Sequence, residues 1–167
     1  MKLLPVQAAA AVVGAVSAIV LTATVVLGAA LLPEWANFAL IVATVGLIVL
    51  MVARFRRTRL RTDGLKGLFR TLRAAMPAFA IVLAALAFYG GWLIALVTMV
   101  SGSTAGNLKY ENGQYTTTHR KTVTVLTKEQ YEDAQAANQR LVSAICLAMS
   151  GGVFALSGVA ERIRESG

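Results

Sequence analysis

Charge is scarce in this sequence. Asp, Glu, Lys and Arg make up 14% of its 167 residues, whereas a soluble domain of this size interleaves charge throughout to keep a solvated face on every element. Cysteine occurs once, at Cys146, which excludes an intramolecular disulfide and a thiolate metal cluster within one chain. Inside an apolar run, Cys146 reads as a small buried hydrophobe. Histidine also occurs once, at His119, so no histidine pair is available for a metal ion. Proline occurs three times, and Pro5, Pro33 and Pro77 all fall at the ends of apolar runs, where a missing N–H costs little.

What the chain has is long apolar runs: 57% of residues are hydrophobic and the mean hydropathy is +0.67. Four runs reach the roughly 20 residues that a helix needs to cross a bilayer. They cover 4–32, 36–53, 77–100 and 141–160, and none holds Asp, Glu, Lys, Arg or His. The first follows Lys2 as a secretory signal would, but signal cores run about 7–15 residues, so an uncleaved span is expected. The expected fold is therefore an all-α integral membrane protein. It is a four-transmembrane-helix bundle with a small extracytoplasmic β-hairpin cap and a fourth helix extending out of the membrane. Residues 1–100 carry the first three spans and a basic loop at 54–76, 101–140 the cap and a helical stalk, and 141–167 the last span and tail.

The net charge of +8 raises nucleic acid as a partner, but its distribution speaks against one. Eight of the sixteen Lys and Arg residues lie in 54-RFRRTRLRTDGLKGLFRTLR-73, between two spans, as retention of basic residues on the cytoplasmic side produces. No zinc-finger spacing, helix-turn-helix signature or aromatic RNA-binding box accompanies them. With this loop inside, both termini are cytoplasmic, leaving eleven Lys and Arg inside and five outside. The cell membrane is the expected location. Arg54, Arg56, Arg57, Arg59 and Arg61 are candidates for lipid headgroups. Leu65, Leu68, Phe69 and Leu72 recur at helical spacing opposite Lys66, Arg70 and Arg73, which predicts a short amphipathic helix in the membrane interface.

Helices in lipid associate through small residues that let backbones approach. Ala10, Gly14, Ala18 and Thr22 form such a stripe in the first span, Ala84, Ala87, Gly91 and Ala95 in the third, and Ala144, Ala148 and Gly152 in the fourth. Gly14, Gly91 and Gly152 are the expected packing glycines. The pairs Gly90-Gly91 and Gly151-Gly152 mark either a tight crossing of spans three and four or a hinge. Ser143, Ser150 and Ser157 follow one face of span four and are candidates to line a polar pocket with Tyr89 and Trp92.

The longest polar stretch is 109-KYENGQYTTTHRKTVTVLTKEQYEDAQAANQR-140. Asn112-Gly113 predicts a two-residue hairpin turn, with Tyr110 opposite Tyr115 and Glu111 opposite Gln114. The β-branched run 116–127 reads as extended, with any bend left unplaced. Thr127 and Gln130 form a capping box, and the helix that follows carries Tyr131, Ala134, Ala137 and Leu141 on its inward stripe. His119, Glu129, Glu132 and Asp133 offer chemical groups, yet no nucleophile, base pair or metal spacing surrounds them. No enzyme, cofactor or metal is expected. Tyr110, Asn112, Gly113, Tyr115 and Tyr131 are the candidate partner-binding residues.

The order Tyr110, Asn112-Gly113, Tyr115-Thr116, Thr127, Tyr131 and then Gln139-Arg140 before the last span resembles the outer loop of small uncharacterised actinobacterial membrane proteins. The resemblance implies provenance and carries no activity. The expected role is a non-enzymatic accessory or assembly protein that contacts membrane lipid and either a protein partner or a second copy, but not nucleic acid. The alternative is a small transporter or channel component, against which stands the lack of any ionisable residue within a span.

Overall fold

A computed structural model describes residues 5–57, 64–101, 104–111, 113–119 and 122–166. Five helices and three strands follow one another. Helices α1 (Pro5–Leu27), α2 (Glu34–Arg57), α3 (Gly64–Ala75) and α4 (Ala78–Val100) precede strands β1 (Asn107–Glu111), β2 (Gln114–His119) and β3 (Thr122–Leu126). Helix α5 (Lys128–Ser166) closes the chain with 39 residues, about 58 Å at 1.5 Å per residue. Helices α1, α2, α4 and α5 are each long and apolar enough to cross a membrane. Large apolar side chains stand exposed along the first three, among them Ile19, Phe38, Leu83 and Leu96. Water does not tolerate so continuous an apolar exterior, and this surface is compatible with a multi-pass membrane protein.

Local chemistry sets the element ends. Gly28, with φ +67°, takes the left-handed conformation that ends helices at low steric cost, so α1 stops at Leu27. The apolar run continues to Leu32 as a loop, so the first helix is shorter than the run that encodes it. Pro33 and Pro77 precede α2 and α4, and their carbonyls accept the first turn's N–H groups from Ala36 at 2.9 Å and Ala80 at 3.0 Å. Thr127 and Gln130 form the capping box at the start of α5. The Thr127 N–H donates to Gln130 Oε1 at 3.0 Å, and the Gln130 N–H to Thr127 Oγ1 at 3.2 Å.

The four long helices do not form a symmetric bundle. Helix α5 is the axis and packs against α1, α2, α3, α4 and the sheet, while α4 makes no comparable contact with α1 or α2. Of its most apolar window 56% is buried, against 28% for α1 and 17% for each of α2 and α4. The cause lies in composition. The buried positions of α5 include Ala134, Ala137, Ala144, Ala148, Ser150, Ser157 and Ala160, small residues that let neighbours approach from several sides. One apolar cluster joins Val6, Ala10 and Leu47 to Val153, and a second joins Leu21 and Ala95 to Ala144.

The crossing of α4 and α5 is backbone-close. A methyl group at Gly91 would stand 2.6 Å from the Ala144 carbonyl oxygen, and one at Gly151 would stand 3.0 Å from that of Ala84. Gly14 lies against Ser150 of α5, where a methyl would be 2.9 Å from the hydroxyl. Gly152 meets only the Phe88 ring at 3.4 Å, ordinary contact, and Gly90 faces open space. The tight member of each glycine pair is thus Gly91 or Gly151.

Helix α3 forms where the amphipathic pattern placed it and packs on α5 as well as on α4. The sheet has the order β1-β2-β3, antiparallel throughout. The cap is thus a three-stranded meander rather than one hairpin followed by a single extended strand. Its second reversal falls between His119 and Thr122, which face each other across β2 and β3.

Candidate functional site

The polar chemistry of the described residues gathers at one end of the helices, where the sheet and the start of α5 meet the α1–α2 loop. Opposite this cap end lies the basic end, which carries α3 and the last turn of α2 with Arg54 and Arg56.

The sheet is mounted on α5 through aromatic rings. In the β1–β2 register Tyr110 faces Tyr115 and Glu111 faces Gln114. The Tyr110 and Tyr115 ring centroids lie 4.6 Å apart, and Tyr131 of α5 stacks on Tyr115 at 4.9 Å. Such pairs add about 0.5–1.5 kcal/mol each beyond the area they bury. Gly113 takes φ +78°, as a tight hairpin turn requires, while Asn112 lies outside the described residues. Burial, with smaller contributions from the charge of Glu34 and from Tyr115, raises the Tyr131 phenol above the ordinary tyrosine value. Nearby, Asn138 Nδ2 donates to the Ala105 carbonyl at 3.0 Å and ties the α4–β1 connection to α5.

The next residue of α5, Gln139, is the largest fully buried side chain among the described residues. Its Oε1 accepts from the Leu31 N–H at 2.6 Å and, more weakly, from the Leu32 N–H at 3.4 Å. Its Nε2 donates to the Leu32 carbonyl and to Asn37 Oδ1, both at 3.2 Å. One side chain thereby satisfies backbone groups that the end of α1 at Gly28 leaves without helical partners. Arg140 completes the latch. Its Nη2 donates to the Thr24 carbonyl in the last turn of α1 at 3.1 Å, placing a positive charge at the negative end of that helix dipole. Two buried atoms beside it, Arg140 Nε and Ser143 Oγ, have no hydrogen-bond partner among the described residues.

Deeper in the spans, past Ser143, five buried hydroxyls are satisfied by their own helices. Ser17, Thr44, Thr98, Ser150 and Ser157 donate to the carbonyls of Val13, Leu40, Ile94, Leu147 and Phe154 at 2.8–3.0 Å. The pocket suggested by Tyr89 and the α5 serines does not form. Tyr89 is 71% exposed and turns its ring edge-on to Phe88, while Ser150 is buried against Gly14. Trp92 is exposed as well.

The remaining sequence candidates are scattered. Arg54 and Arg56 stand exposed in the last turn of α2, whereas the side chain of Arg57 and all of Arg59 and Arg61 lie outside the described residues, as does the His119 side chain. Glu129, Glu132 and Asp133 are exposed on α5, and Glu132 lies 3.6 Å from Lys128 one turn away, a solvated pair of small energetic weight. Among the described residues no group of His, Cys, Asp and Glu is arranged to hold a metal ion. Gln139 and Arg140 tie α5 to the end of α1 and the loop after it, a structural role that sequence reading left unassigned.

No protein-family model matches the chain, and no curated protein and no solved structure is detectably similar to it.

Proposed function

We propose that this chain is a non-enzymatic multi-pass protein of the cell membrane, with both termini cytoplasmic, that docks a protein partner on its outer cap as an accessory or assembly subunit. The kinship with actinobacterial membrane proteins implied by the cap motif belongs to the same proposal. One observation carries the docking role. Strand β3 is an edge strand, its sequence TVTVL contains neither charge nor proline, and Val123 and Val125 are each 62% exposed. Natural sheets guard exposed edges with charge, proline or a covering element, because unpaired N–H and C=O groups invite another strand. An unguarded edge, on a sheet fastened by three stacked tyrosines, is a preorganised seat for an extended partner segment.

The test is purification of the full chain from native membranes in mild detergent, beside a variant carrying Val123→Lys and Val125→Lys. Both valines already face solvent, so the sheet keeps its contacts with α5. A stoichiometric companion that the double variant loses supports docking at β3. A wild-type protein that purifies alone, or a companion that survives the charges, refutes it. The transporter alternative gains little from the spans: the hydroxyls of Ser17, Thr44, Thr98, Ser150 and Ser157 bond their own backbones, and Ser143, without a partner among the described residues, lies one turn from Arg140.

A further inference from the structure

We propose that the groove between α1 and α4 holds one acyl chain of an anionic phospholipid, with its headgroup at Arg70 and Arg73. The inference rests on the reading of the chain as membrane-spanning and is independent of the cap.

The groove exists because α4 and α1 both lie on α5 but not on each other. It encloses about 410 Å³, with Ala11, Ala15 and Ala18 on the α1 wall, Ala80 and Ala87 on the α4 wall and Ser150 in the floor. Its width identifies the occupant. Gly14 of α1 sits over Ser150, and Ala84 and Ala87 of α4 sit over Gly151, so the two walls straddle adjacent residues of a single turn of α5. A second transmembrane helix, about 10–12 Å across with its side chains, has no access to that floor. A single hydrocarbon chain does. The floor demands nothing polar, since the Ser150 hydroxyl already donates to the Leu147 carbonyl at 2.9 Å. Toward the cap end a separate, shallower depression that shares Ala18 runs along the α1 surface to Leu27.

The basic end supplies the headgroup's counter-charge. There the groove is bounded by Phe79 and Ala80 at the start of α4, which follow α3 through Met76 and Pro77. Met76 is buried over the Gly158 position of α5, beside Gln7 of α1, so the α3–α4 junction sits against both helices. Arg70 and Arg73 stand exposed one turn apart in the final turns of α3, immediately before this junction. A chain entering the groove gains no hydrophobic free energy over bulk lipid. Its residence comes from van der Waals contact with the alanine walls and from headgroup charge, and the charge makes the site selective.

The experiment reconstitutes the full chain into vesicles of equal phosphatidylglycerol and phosphatidylcholine, extracts it in mild detergent and counts retained lipids by native mass spectrometry. Retained phosphatidylglycerol should exceed phosphatidylcholine by at least about fivefold, the factor expected of one well-placed arginine. Arg70→Gln with Arg73→Gln should bring the two lipids to parity. Ala15→Phe fills an exposed wall position without entering a helix contact, and should cut retention of both lipids while the thermal midpoint holds. Equal retention of the two lipids by the wild-type chain overturns the proposal. So does an Ala15→Phe chain that keeps its lipid, or one that instead loses a protein companion.

Discussion

Replacing Gln139 by Leu should loosen the cap end of the molecule while leaving the helices themselves intact. Leucine keeps most of the side-chain volume, so the substitution isolates the polar contribution. Three hydrogen bonds at 2.6–3.2 Å are lost, and a fourth at 3.4 Å is too long to matter greatly. At a net contribution of about 1 kcal/mol each, the loss is roughly 2–3 kcal/mol. It does not rise higher, because Leu31 is 44% exposed and its backbone can rehydrate once the glutamine is gone. For a chain of this length that corresponds to a fall of about 5–10 °C in the thermal midpoint. Glutamate makes the sharper control. Its carboxylate still accepts from Leu31, yet it turns two acceptors, the Leu32 carbonyl and Asn37 Oδ1, against a buried negative charge. Gln139→Glu should therefore be worse than Gln139→Leu at neutral pH and should recover in part under acid. Thermal unfolding in detergent gives the first reading, and amide hydrogen exchange at Leu31 and Leu32 locates it. A leucine variant with an unchanged midpoint and unchanged exchange at those two amides would refute the latch.

Three further outcomes follow from the same geometry. Gly91→Ala should destabilise by about 1–3 kcal/mol, since the new methyl would stand 2.6 Å from a backbone oxygen that cannot retreat, whereas Gly90→Ala, facing open space, should be neutral or stabilise by up to about 1 kcal/mol; equal midpoints for the two variants would contradict the crossing described. Gly113→Ala should cost about 1–2 kcal/mol in the cap alone, because φ +78° is strained for any residue with a Cβ, and should weaken the near-ultraviolet dichroism of the stacked tyrosines before helical content falls. The Tyr131 phenol is held above its unfolded value of 10.0, so the folded chain binds its proton more tightly; that stability is fully present at neutral pH and is lost as pH climbs from 10.0 through the raised value. Tyr131→Phe should flatten the alkaline decline in thermal midpoint, and an unchanged decline would assign it to other groups.

Much of this architecture is legible in the sequence, and the divide between what is and what is not has a physical basis. Charge-free runs reveal the four long helices, because a bilayer-length helix needs nothing but its own composition to be recognised. The turn at Asn112-Gly113 and the Thr127–Gln130 capping box are equally local, and both appear with the register and hydrogen bonds their residues imply. The second strand reversal carries no such signal. It falls between His119 and Thr122, and the intervening sequence Arg-Lys holds no Gly, Asn or Pro to mark it. The end of α1 was hidden differently, since Gly28 looks like any other small residue in an apolar run until its positive φ is known.

Gln139 and the centrality of α5 were beyond local reading for one shared reason. A glutamine in 134-AQAANQRLVSA-144 sits among good helix formers and reads as solvated, because its partners Leu31, Leu32 and Asn37 lie more than 100 positions away. The signal that does exist is compositional. A span that faces lipid on one side fills that side with large residues, as α1, α2 and α4 do with Ile19, Phe38 and Leu93. From Ala134 to Ala160, α5 instead carries Ala, Ser and Gly around much of its circumference, which would leave poor lipid contact if any wide face looked outward. Small residues around much of a long apolar helix therefore mean neighbours on several sides. That helix must then also carry whatever polar groups the other helix ends require, because it alone reaches them all. On this argument a polar residue near the end of such a central helix is a latch before it is a binding residue, and Gln139→Leu separates the two roles. A latch lowers the thermal midpoint, while a binding residue changes only what purifies with the protein.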